Sequence, residues 1–152
     1  MFLINYFSDL ISGTLSQVLN SRKKVVQLYL GFSLVCVVVF LWMHNYNITA
    51  NSYYFMCFLL GAGTGYWAIF VTIAAEQFGT NIRSTAANTI PNLVRGSVNI
   101  VVLFFGLLVS TGINDGWSAL IVGVLFISLA FYSISRLTET FGKDLNYFDE
   151  TL

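Results

Sequence analysis

Four long apolar runs, separated by short polar joints, dominate this 152-residue chain. They cover about 25–43, 53–75, 86–110 and 117–135. Each is close to the roughly 20 residues that a helix needs to cross a bilayer. Residues 2–19 form a fifth, weaker run in which Asn5, Ser8, Asp9, Ser12 and Ser16 gather on one helical face. It reads as the inner part of a helix whose beginning is missing, or as a re-entrant segment. The pattern predicts an all-α polytopic membrane protein with about four to five transmembrane helices. These would form a single membrane domain across 1–152, ending in a tail from 136 to 152.

The predicted helices differ in kind. Those at 25–43 and 117–135 are apolar nearly all round, which predicts lipid-facing positions. In the helix at 53–75, Gly61, Gly65, Ala68, Thr72 and Glu76 fall on one face. Small residues at this spacing let two helix backbones approach closely. The face therefore serves either plain bundle packing or a tightly packed, moving helix beside a cavity. The helix at 86–110 carries Asn88, Asn92, Arg95 and Asn99 at i, i+4, i+7 and i+11, with Pro91 among them. That stripe extends about 16 Å at the helical rise, and Pro91 favours a kink. Polar side chains and freed carbonyls at membrane depth belong where they meet protein or a water-filled cavity. Arg95 reads as a substrate, ion or gate residue, or as half of an ion pair with Asp9 or Glu76.

Composition sharpens the class. Only 9% of the residues are charged against 57% hydrophobic, where a soluble domain carries about a quarter charged. Net charge is zero, so no overall field draws nucleic acid or an acidic partner. Placement is more informative than the total. Arg22, Lys23 and Lys24 occupy the first joint, Arg83 the third, and Arg136 and Lys143 the tail, whereas joints 44–52 and 111–116 contain no Lys or Arg. Basic residues on alternate joints predict that these joints and the C-terminus are cytoplasmic, in a multi-pass protein of the cell or inner membrane. Asn47-Ile48-Thr49 forms a glycosylation sequon in the opposite joint, where an Asn-rich loop makes chance occurrence the simpler reading. The N-terminal stretch lacks a basic leader and contains Asp9, so a cleavable signal peptide is not expected.

The chemistry on offer is narrow. Cys36 and Cys57 lie inside apolar runs, and neither has a cysteine or histidine at metal-ligand spacing. His44 stands alone beside the Asn-rich joint. No metal site, cofactor motif or phosphate-binding loop is present. Intramembrane enzymes need Ser/His, paired Asp or His/Asp groups at depth, so an enzyme is the least expected class.

Three short stretches resemble the major facilitator superfamily. Ala75–Ala86, AEQFGTNIRSTA, is similar to that family's A-E-x-F-P-T-x-x-R-x-T-A sequence after the tenth helix, with Gly79 in place of Pro. Gly13–Lys24 resembles the loop G-x-L-x-D-R-x-G-x-R-K-K between helices eight and nine. Gln17 and Val18 replace its acid and its first basic residue. Glu139–Leu145 is similar to the E-T-x-G-K-x-L tail after the twelfth helix, with Thr138 where Pro is usual. Their order and spacing match, and the resemblance maps the chain onto the end of helix eight through helix twelve.

The resemblance implies the C-terminal part of a secondary transporter for a small organic solute such as a sugar or metabolite. Alternating access would be coupled to a proton or sodium gradient. It also implies that the N-terminal half-bundle is missing, and Met1 falling inside a helix agrees with a truncated reading. Glu76 and Arg83 would form a cytoplasmic gate pair, with Gly13, Arg22, Lys23 and Glu139 as further motif positions. Asn88, Asn92, Arg95, Asn99 and Thr72 would line the cavity. The lipid bilayer, a solute and a coupling ion are the implied partners. Two other readings remain open: a non-transporting truncated protein or scaffold, and a small self-associating transporter.

Overall fold

The computed structural model describes residues 2–43, 49–142 and 144. His44, the Asn47 sequon and Lys143 lie outside the described residues. Six α-helices make up the architecture: α1 Phe2–Val18, α2 Arg22–Met43, α3 Ala50–Gly63, α4 Trp67–Glu76, α5 Arg83–Ser110 and α6 Asp115–Arg136. Helices α3 and α4 are the two halves of one span. Four segments are therefore long and apolar enough to cross a membrane: α2, Ala50–Glu76, α5 and α6. This all-helical arrangement reads as a multi-pass membrane protein.

The ends of the bundle carry opposite chemistry. At one end α6 leads into residues 138–140, which bond to Ser21 and Arg22 at the start of α2 and to Gln77 after α4. This end holds the basic joints. At the other end Trp42 and Trp117 line a shared recess with Asn114 and Leu41, and both indoles are largely exposed. Tryptophan is favoured where apolar core gives way to headgroups. Asn114 caps α6 there, its side chain accepting from the Gly116 N–H at 2.9 Å.

The span at 53–75, predicted as one helix, is broken at Thr64–Tyr66. An internal break frees carbonyls that lipid cannot satisfy, and neighbouring hydroxyls take them up. Ser8 on α1 donates to the Ala62 carbonyl at 2.6 Å, and Ser33 on α2 donates to the Gly63 carbonyl at 3.0 Å. Thr64 closes back on the Gly61 carbonyl at 2.8 Å. Tyr29 donates to the Ser8 carbonyl at 3.1 Å and tilts against Tyr66, with ring centroids 6.2 Å apart. Gly65 is obligatory in this arrangement. A Cβ there would lie 2.0 Å from the Ser8 hydroxyl oxygen and 2.8 Å from its backbone carbon.

The serine face of α1 is thus a packing face. Ser8, Ser12 and Ser16 are all buried, and α1 packs on α2, α3 and α4. Asn20 ends this helix in the left-handed conformation, at φ 47°, a position that suits Asn or Gly. The apolar core consists of Val25, Val26, Leu30, Ile69, Ile73 and Ile134 from α2, α4 and α6. Lipid-facing placement was expected for both α2 and α6. Instead α2 packs against α1, α3, α4 and α6 and supplies half of those core residues. Uniform apolarity suits either a lipid-facing or an enclosed helix, because hydrocarbon and a protein core are alike as solvents. Helix α5 packs only on α4 and α6 and buries little beyond Pro91.

Candidate functional site

Two polar assemblies occupy different parts of the molecule. The first lies at the basic end, where three joints meet. Arg22, at the first position of α2, forms an ion pair with Glu76 at the last position of α4. Glu76 is buried, with a side chain 8% exposed, against 23% for Arg22. The sequence reading paired Glu76 with Arg83 in a gate. The structure brings Arg22 to Glu76, and it directs Arg83 Nε and Nη2 at the Phe78 carbonyl, at 3.3 and 3.2 Å. The α1–α2 joint can supply the cation because Asn20 turns the chain sharply there.

Glu139 holds the same joint from the other side. One carboxylate oxygen accepts from the Ser21 hydroxyl. The other accepts from the backbone N–H groups of Arg22 at 3.1 Å, Thr140 at 3.1 Å and Phe141 at 3.2 Å. Ser21 in turn accepts from the Lys24 N–H at 3.3 Å, as an N-cap does. The start of α2 is therefore capped twice, by a hydroxyl and by a carboxylate favoured at the positive end of a helix. Burial pushes the Glu139 carboxyl up, but hydrogen bonds from Ser21, Phe141, Arg22 and Lys23 outweigh it and hold it below the usual glutamate range.

Two further bonds close the assembly. Lys23 donates to the backbone carbonyls of Ser135 and Leu137 at the end of α6. Gln77 donates to the Thr138 carbonyl at 2.9 Å, and the Thr138 hydroxyl donates back to the Gln77 side-chain oxygen at 2.8 Å. The motif positions Arg22, Lys23, Glu76 and Glu139, far apart in sequence, thus converge. Gly13 stays apart, and a Cβ there would meet nothing within 4 Å. Sequence reasoning missed Gln77 and Thr138. The only signal for Ser21 was its place immediately before a basic run that starts a helix.

The second assembly is the stripe on α5, and its geometry is the opposite. Asn88, Asn92, Arg95 and Asn99 are all exposed. Asn88 donates to the Ser84 carbonyl at 3.1 Å and Asn92 to the Asn88 carbonyl at 3.0 Å, so each is satisfied only within its own helix. Arg95 meets neither Asp9 nor Glu76. Its guanidinium stands over the Trp67 ring, 5.2 Å from the centroid, within cation–π range. Trp67 begins α4, so this contact puts Arg95 level with the break in the neighbouring span. Thr72 donates to the Ala68 carbonyl at 2.8 Å, again within its own helix. One carboxyl oxygen of Asp9 is buried without a hydrogen-bond partner.

Among the described residues there is no group of three or more His, Cys, Asp or Glu side chains that could hold a metal ion. The chemistry these two assemblies allow is polar recognition along α5 and mechanical coupling at the basic end. No family model, no curated protein and no solved structure matches this chain.

Proposed function

We propose that this chain is the C-terminal part of a secondary active transporter of the major facilitator type. Its cargo would be a small organic solute such as a sugar or metabolite, moved by alternating access down a proton or sodium gradient. One observation carries the reading: a membrane-spanning helix presents three asparagines and an arginine outward, with none of the other helices covering them. Such a face in lipid is expensive, and a half-bundle packed across an aqueous cavity would relieve the cost. Asn88, Asn92, Arg95, Asn99 and Thr72 then line that cavity. The basic end lies in the cytoplasm of a cell-membrane protein and forms the gate side, with Arg22, Glu76 and Glu139 holding three helix ends together while it is closed. Arg83, Lys23 and Gly13 complete the motif positions of that side.

Uptake by the complete gene product tests the assignment. Arg95→Ala and Asn92→Ala are expected to lower solute uptake about ten- to hundred-fold at unchanged membrane abundance, the cost of losing one hydrogen bond to a charged or polar solute. Normal uptake in both variants removes α5 from the solute path.

A further inference from the structure

The described part of the bundle encloses a second feature that transport does not explain. A cavity of about 490 Å³ lies among α2, α4, α5 and α6, with Leu30, Trp67, Ile73, Val94, Ile134 and Leu137 among its walls. Its volume falls within the roughly 300–1,000 Å³ of pockets that enclose small organic ligands. The lining is almost wholly apolar. Gln77, one of the few polar side chains there, is engaged with Thr138. The walls on the α4 side run from Trp67 to Phe78, a length of about 16 Å at the helical rise. That is about half of a hydrocarbon core roughly 30 Å thick, so the cavity is one leaflet deep.

The end of the cavity at Leu137 opens among cations. Lys23 lies against the Leu137 carbonyl. Lys24 and Arg136 are exposed, and neither forms an ion pair among the described residues. Arg136 stands 5.3 Å from the centroid of the Tyr132 ring. The nearby acids are turned elsewhere, Glu139 to Ser21 and the backbone, Glu76 to Arg22.

We infer that this cavity binds one acyl chain of an anionic phospholipid from the leaflet on the basic side, with the phosphate headgroup at Lys24 and Arg136. Depth and charge select the occupant together. An acyl chain gains little on moving from lipid into an equally apolar pocket, so preference comes from the headgroup. A basic side chain near the surface strengthens binding of an anionic headgroup about five-fold. Two such residues give about twenty-five-fold over a zwitterionic lipid with the same chains. Because the bound chain would touch α2, α4, α5 and α6 at once, it would tie α5 to the rest of the bundle. This inference does not depend on what the α5 stripe recognises.

The chain has three tryptophans, Trp42, Trp67 and Trp117, and only Trp67 lines the cavity. Replacing the others, Trp42→Phe and Trp117→Phe, leaves Trp67 as the reporter in the full chain reconstituted into phosphatidylcholine discs. Phosphatidylglycerol with brominated acyl chains is expected to quench Trp67 at about one twenty-fifth of the mole fraction needed with brominated phosphatidylcholine. Adding the surface changes Lys24→Gln and Arg136→Gln should bring the two lipids to parity, and Ala130→Phe, which fills the cavity, should abolish the high-affinity phase. Equal quenching by both lipids before any charge is removed overturns the inference. So does a preference that survives loss of both charges, and so does the absence of quenching by either lipid, which would mean that protein seals the cavity.

Discussion

At the basic end every functional polar group points at another element, whereas along α5 every one points away from the bundle. Glu76 sits on Arg22 and Glu139 on Ser21, joining segments more than fifty residues apart. Asn88 and Asn92 turn back on carbonyls four residues earlier in their own helix. Both regions place charge or amide groups beside long apolar runs. What separates them is whether the fold delivers a partner. A polar group with a delivered partner ties elements together, and one without a partner in the fold is available to something outside it.

The sharpest way to break this comparison is to remove a partner from the buried pair. Glu76→Ala leaves the Arg22 guanidinium without its counter-charge, a loss that typically costs about 3–5 kcal/mol when a pair is buried. The partial exposure of Arg22 places the expected effect near the low end, about 3 kcal/mol, in denaturant unfolding of the reconstituted chain. Combining Arg22→Met with Glu76→Leu should recover most of that loss. If the single and double variants unfold alike, the pair does not tie α2 to α4.

A smaller effect is expected at the carboxylate cap. Glu139→Gln keeps the shape and removes the charge from the start of α2, at a cost of about 0.3–1 kcal/mol. The pH dependence has a definite sign. The folded Glu139 carboxyl lies below its ordinary range, so its contribution is fully present above the unfolded value of about 4.3. It is lost as the pH falls through the folded value. Wild-type and Glu139→Gln stabilities should therefore differ near neutrality and converge in acid. A constant difference across that range would assign the loss to shape and remove the charge from the account.

The least effect belongs to α5. Asn92→Leu removes an amide bonded only within its own helix, and the stability of this chain should change by less than about 0.5 kcal/mol. A loss above 1 kcal/mol would mean that the stripe supports the fold of the chain itself, and the contrast between the two regions would fail.

Much of the architecture was legible in the residue pattern. The four apolar runs coincide with four long spans, and the alternation of basic joints corresponds to two chemically distinct ends. Both follow from solvent preference, a property each segment has by itself. The stripe from Asn88 to Asn99 was legible too, because helical periodicity alone puts those residues on one face. Its partners were not. Arg95 was paired on paper with an acid, and the structure seats it over Trp67 instead.

Three features were decided only by tertiary structure. The break at Thr64–Tyr66 looks like uninterrupted span by composition, and it persists because Ser8 and Ser33 from two other helices accept the cost of the freed carbonyls. The choice of Arg22 for Glu76 depends on how sharply the chain turns at Asn20. The central place of α2, as apolar as any lipid-facing helix, depends on which helices surround it. Hydropathy measures what a segment tolerates as a neighbour, and lipid and protein interior are equally tolerable. Sequence alone therefore determined which segments enter the membrane and which faces are polar, and tertiary structure decided which of those polar groups found each other.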